Sequence, residues 1–236
     1  MSAIVKYLLQ DYIRSYLFVP PVVVFIGWTI VSYTYVPNPV ISSYAVSVTV
    51  LYLITAWLTI TLMDAEGTIQ LQITSLHAKS FLKVLCAKVL AILVFSGFLS
   101  LFALLYPVVI GAFHRQVTWT EGIIIFVSHV LMSLLAVAVT GYFSRIYRPR
   151  TLLSWLLLTL ILVASLVRGG LENALPAAAS LVVRVLPPSF PLLNTLGEET
   201  VTFHTVLVFV WLYALLYSLL LFILFYKLIE NRKFIR

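Results

Sequence analysis

Six long apolar runs, nearly free of charged side chains, constrain this chain more than any other feature. They lie at about Leu17–Val36, Ser43–Met63, Val84–Phe113, Gly122–Phe143, Thr151–Val167 and Val201–Tyr226. They run from 17 to 30 residues, against the roughly 20 a helix needs to cross a hydrocarbon layer about 30 Å thick, and the third is long enough to tilt or to project past the bilayer. Hydrocarbon offers no partner to a backbone N–H or C=O, so such runs are expected to be helical. The composition agrees, with 62% of the 236 residues hydrophobic and 10% charged, against about 45–50% and 25% in soluble domains. Six spans leave little chain over. The expected fold is an all-α polytopic membrane protein forming a single transmembrane domain over 1–236, with no separate soluble catalytic or receptor domain.

Other counts exclude further classes. One cysteine, Cys86, cannot form an internal disulfide. The histidines, His77, His114, His129 and His204, show no spacing that would bring two ligands onto one helical turn, so no metal site is expected. No Gly-x-x-x-x-Gly-Lys-Ser/Thr loop is present to cradle a nucleotide, so no cofactor is expected on this chain. The net charge of +7 comes from cations between apolar runs, not from a basic stripe with interleaved aromatics, which argues against nucleic acid as a partner.

The segments between the runs are more informative. Residues 1–16 put Ile4, Val5, Leu8, Leu9, Tyr12, Ile13 and Tyr16 at helical spacing, with Lys6, Gln10, Asp11 and Arg14 on the other face. That pattern predicts an interfacial helix, and no small-x-small site follows it to mark a cleaved signal peptide. Pro37-Asn38-Pro39 ends the first run. A polar inner segment, 64–80, joins the second and third. The stretch 168–200 is apolar in pieces too short to cross and is broken by Pro176, Pro187, Pro188 and Pro191, which predicts short re-entrant helices on the outer side.

Orientation follows from Lys and Arg. With the N-terminus inside, Lys6, Arg14, Lys79, Lys83, Lys88, Arg145, Arg148, Arg150, Lys227, Arg232, Lys233 and Arg236 fall on inner segments, and Arg115, Arg168 and Arg184 on outer ones. Twelve against three predicts cytoplasmic N- and C-termini in a multi-pass cell-membrane protein, with a bacterial plasma membrane as the expected setting.

The inner segment reads Asp64-Ala65-Glu66-Gly67-Thr68-Ile69-Gln70-Leu71, with Lys88 about twenty residues on. This acidic-x-Glu-Gly-Thr stretch between the second and third of six spans resembles the type-2 ABC transporter permease family, the membrane subunits of ABC exporters. The chain departs from the family pattern at Gln70, where a second Glu is common, and at Ser75-Leu76, where Ser-Pro is. The resemblance implies that Asp64, Glu66, Gly67, Thr68, Gln70 and Leu71 form a cytoplasmic coupling helix contacting an ATPase. It also implies two ATP-binding cassette subunits that hold ATP and Mg and do the hydrolysis, and a second permease copy or homologue in the bilayer. The chain itself is then no enzyme but half a passage that exports a hydrophobic or amphipathic cargo: a peptide, antimicrobial, drug or lipid. Asp64 and Glu66 at a helix start would suit the helix dipole, and Thr68 could cap a free N–H there.

Weakly polar residues mark other candidates. Ser47, Tyr52, Thr55 and Thr59 on the second span, and Ser154 and Ser165 on the fifth, either join helix to helix or line a cargo path. Arg168 and Glu172, four apart around Gly169-Gly170, form an ion pair at an outer gate or flank a broken helix. His129 is an ionisable group inside a span. Rival readings are a haem-exporter-like permease, a membrane immunity protein, and an intramembrane hydrolase built on Glu198-Glu199 and His204. In the last of these a Glu-Glu-x-x-x-Arg motif would need Arg where Phe203 stands.

Overall fold

The structure, a computed structural model, describes residues 2–144, 152–176, 180, 183–197 and 201–233. Its elements are helical: α1 (Ser2–Arg14), α2 (Val19–Ser32), α3 (Val40–Ala65), α4 (Thr68–His77), α5 (Phe81–Val109), α6 (Trp119–Thr140), α7 (Leu152–Leu166), α8 (Arg168–Ala174), α9 (Ser189–Asn194) and α10 (Thr205–Lys233). No strand occurs among the described residues.

Four helices, α3, α5, α6 with the turn that follows it, and α10, are long and apolar enough to cross a membrane. The first and fifth runs are shorter than the sequence predicts. At 1.5 Å per residue, the 14 residues of α2 and the 15 of α7 reach roughly 21–23 Å, less than the roughly 30 Å of hydrocarbon. Each belongs to a bent pair, α1 with α2 at 79° and α7 with α8 at 78°, and up to six helices cross if each pair counts as one span. The first bend falls at Tyr16, a non-glycine residue with φ 56°.

α3 and α6 form the centre of the bundle. About two thirds of each apolar window is buried, against 17% for α10, which lies on the periphery. Tyr44, Tyr52 and Ile60 of α3 interlock with Ile125, Met132 and Leu135 of α6. A second cluster joins Tyr12, Phe25, Leu58, Ile92 and Leu99. Through it α1 does more than lie in an interface: Tyr12 is buried and its hydroxyl is 2.6 Å from Thr61 Oγ1 of α3.

The two ends are tied differently. At one, Asn38 N–H donates to Ala112 C=O (2.8 Å) and His114 N–H to Asn38 C=O (3.2 Å), stitching the α2–α3 loop to the α5–α6 loop. The start of α6 is closed there by a capping box, Thr118 with Glu121, and Arg115 grips the Glu121 carboxylate with its Nη1 and Nη2 at 2.9 and 2.6 Å. At the other end α4 turns the chain from α3 into α5. Phe225 and Ile229 of α10 reach Leu85 there, and Phe225 lies against Gly141.

Candidate functional site

The α3–α4 junction departs from the expected helix start. α3 continues through Asp64 and Ala65, Glu66 caps its C-terminus in extended backbone, and α4 begins at Thr68 after Gly67. Asp64 therefore lies in a last helical turn. The cap position of α4 falls to Gly67, which has no side chain to offer, so the expected Thr68 cap is replaced by a tight bend. α4 ends at His77 with Ala78 as its cap, followed by Lys79 with φ 54°, a left-handed residue whose N–H donates to Leu76 C=O at 3.0 Å and stops the helix.

Glu66 is not presented to solvent. Its Oε2 is 2.8 Å from Lys88 Nζ, about two turns inside α5, and the two side chains are 1% and 0% exposed. Thr74 of α4 donates to Glu66 Oε1 at 3.1 Å, and Lys88 Nζ donates to Met63 C=O of α3 at 3.3 Å. Asp64 and Asp11 also act electrostatically on Lys88. The Glu66–Lys88 pair thus ties together α3, α4 and α5. Isolated, a charge in such a place would cost many kcal/mol; paired and hydrogen-bonded, it becomes a fastener whose loss on one side costs about 3–5 kcal/mol.

With Glu66 turned inward, the outward face of α4 carries an apolar ridge, flanked by the exposed Gln72 and His77. Ile69, Ile73 and Leu76, spaced i, i+4, i+7, are 73%, 51% and 76% exposed. Gln70 turns sideways and donates to the Tyr7 hydroxyl of α1 at 2.7 Å. Leu71 is half-buried, and its N–H closes the first turn on Gly67 C=O at 2.9 Å.

The weakly polar residues of the spans meet each other. Ser47, Tyr52, Thr55, Thr59, Ser154 and Ser165 are all buried. Thr55 is 3.3 Å from Ser133 of α6, and Thr59 donates to Thr55 C=O within its own helix. Tyr52 is 3.2 Å from Ser165 of α7, to which Ser189 of α9 donates at 2.8 Å. His129, fully buried on α6, donates from Nδ1 to Ile125 C=O at 2.8 Å and meets Ser47 Oγ through Nε2 at 3.0 Å. The hydroxyls form a seam where α3 meets α6 and α7, extended to α9 by Ser189.

Arg168 Nε donates to Glu172 Oε1 at 2.8 Å, so the i,i+4 pair forms on α8, with 13% and 31% of the side chains exposed. Gly169 lies directly under the Phe190 ring of α9. Glu198-Glu199 lies outside the described residues. His204 is exposed and donates from Nδ1 to Thr202 C=O. Among the described residues no three His, Cys, Asp or Glu side chains gather as a metal site.

Sequence reasoning missed three features. The Lys88 partnership had a signal, an ionisable group inside an apolar helix. Thr118-x-x-Glu121 before an apolar run is a readable capping box. The Ile69, Ile73, Leu76 ridge was readable from its spacing but was overshadowed by the acidic residues beside it. Set against known protein families, curated proteins and solved structures, the chain matches none.

Proposed function

We propose that this chain is the membrane-spanning permease subunit of an ATP-driven ABC exporter, with α4 as the helix on which a separate ATP-binding subunit bears. The observation that carries the reading is the exposed apolar ridge of Ile69, Ile73 and Leu76 on a short helix whose other side is tied, through the Thr74 hydroxyl, to the buried Glu66–Lys88 pair of α3 and α5. A transmitting helix needs both properties. It must offer a face that another protein can bury, at roughly 1.5–3 kcal/mol for each large apolar side chain covered. It must also be joined to the helices it moves, so that a push displaces α3 and α5 together and does not merely bend a loop.

In this reading each bent pair counts as one span, giving six. The α4 end faces the cytoplasm, as the bias of twelve Lys and Arg against three favours, with the membrane being a bacterial plasma membrane. Resemblance to type-2 ABC permeases supplies the rest: two ATPase subunits holding ATP and Mg, a second permease copy or homologue completing the passage, and a hydrophobic or amphipathic cargo. The contact with the ATPase is assigned to the apolar ridge, while Glu66 has a positioning role. The hydroxyl seam between α3 and α7 is where a passage bordered by spans two and five would open, by exchanging helix–helix hydrogen bonds for bonds to cargo or water.

The test is site-specific photocrosslinking in cells. A crosslinking residue at Ile69 or Ile73 is expected to capture a protein carrying a phosphate-binding loop, whereas one at Trp119, 91% exposed at the opposite end, is not. Capture of no ATP-binding protein from either α4 position would overturn the assignment.

A further inference from the structure

The end of the bundle that carries α4 separates its charges by sign. Among the described residues every exposed charged side chain there is a cation: Lys6 and Arg14 on α1, Lys79 and Lys83 around the start of α5, and Lys227 on α10. The acids are withdrawn. Glu66 is buried against Lys88, Asp11 and Asp64 are half-buried and act on the same cation, and Glu230 is half-buried and accepts a hydrogen bond from the Tyr226 hydroxyl. Of the four acids only Glu66 is fully buried, but none is exposed, so the exposed charge of this end is positive.

α1 is shaped to lie along a membrane surface. It meets α2 at 79°, so that where α2 runs across a bilayer α1 runs nearly along its plane. Leu8 and Tyr12 fix its inner side to the bundle, while the exposed Tyr7, Ile13 and Tyr16 sit beside Lys6 and Arg14. Tyrosines and long-stemmed cations are the side chains that settle at the headgroup level. One of these tyrosines, Tyr7, is also the acceptor of the Gln70 amide of α4.

We infer that Lys6 and Arg14 bind the phosphates of anionic phospholipid headgroups, and that the Tyr7–Gln70 hydrogen bond passes this occupancy to α4. Lipid charge then sets how firmly α4 is held. The inference rests on the charges of this end and holds whether or not an ATPase docks there.

A cation near an anionic leaflet favours it by about fivefold. The purified full chain, in micelles containing equal phosphatidylglycerol and phosphatidylcholine of the same acyl chains, should retain phosphatidylglycerol preferentially by native mass spectrometry. Lys6→Gln with Arg14→Gln should cut that preference at least about tenfold, and Arg184→Gln, exposed on the far segment, should leave it unchanged. In nanodiscs, amide exchange over residues 68–77 should slow in phosphatidylglycerol relative to phosphatidylcholine. Tyr7→Phe should erase that difference while keeping the lipid preference. Equal retention of the two lipids by the parent chain, or an undiminished preference in the double variant, overturns the lipid site. Exchange that is the same in both lipids, or lipid-dependent in Tyr7→Phe, overturns the relay.

Discussion

Replacing Glu66 by Gln should be among the most damaging isosteric changes available to this chain. The carboxylate is 2.8 Å from Lys88 Nζ with essentially no solvent at either side chain. At an effective dielectric of about 20, two unit charges at that separation attract by about 6 kcal/mol, before the cost of desolvating both is deducted. Removing one partner leaves a buried ammonium without the carboxylate it touches, and the expected loss is about 3–5 kcal/mol, two to four powers of ten in the unfolding equilibrium. The neutral double variant Glu66→Leu/Lys88→Met should recover most of that loss, since replacing both members by apolar side chains of similar volume is often neutral or stabilising. Unfolding of the purified protein in mild detergent with added denaturant, followed by tryptophan fluorescence for the parent, Glu66→Leu, Lys88→Met and their double, completes a double-mutant cycle. A coupling energy above about 2 kcal/mol is expected. Additive effects, or coupling below about 1 kcal/mol as for exposed pairs, would refute the reasoning, because the pair would then lie in water.

Gly169→Ala pushes a Cβ into the Phe190 ring and should cost about 1–3 kcal/mol in the same unfolding assay, whereas Gly170→Ala, with open space around the new methyl, should be neutral or slightly stabilising. Thr118→Ala removes the cap of α6 and should cost about 1 kcal/mol, seen as faster amide exchange confined to the first turn of that helix. Tyr52→Phe loses the contact with Ser165 and, at the average of about 0.6 kcal/mol for hydrogen bonds between membrane helices, should barely shift unfolding. A loss above about 2 kcal/mol there would mean that the seam, not the apolar core, holds α3 to α7.

Helix number and helix partnership differ in how far they can be read from sequence. The second, third, fourth and sixth apolar runs became α3, α5, α6 and α10 because unbroken apolar length is a local property and backbone satisfaction in hydrocarbon permits little else. The first run fell short because the chain bends at Tyr16 through a left-handed conformation, which a tyrosine adopts only where tertiary contacts, here Tyr12 against Thr61 and Phe95, hold the segments on either side. At the α4 site, position 66 was legible as special, but its direction was not. A glutamate beside a helix start could face a partner protein or turn inward, and what decides is Lys88, 22 residues away and on another helix. The hydroxyl stripe was similarly visible as Ser47, Tyr52, Thr55 and Thr59, whereas its partners on α6, α7 and α9 depend on how the helices meet.

The measurement that bears most directly on the account is ATP hydrolysis by a complex of this chain with the ATP-binding subunit captured from α4, reconstituted in liposomes. The account predicts that the parent chain changes the hydrolysis rate of that subunit, that Ile69→Asp/Ile73→Asp abolishes the effect while the chain remains folded and membrane-embedded, and that Asp substitution at Trp119 does not. Hydrolysis indifferent to the chain, or a response undiminished by charges on the α4 ridge, would contradict it.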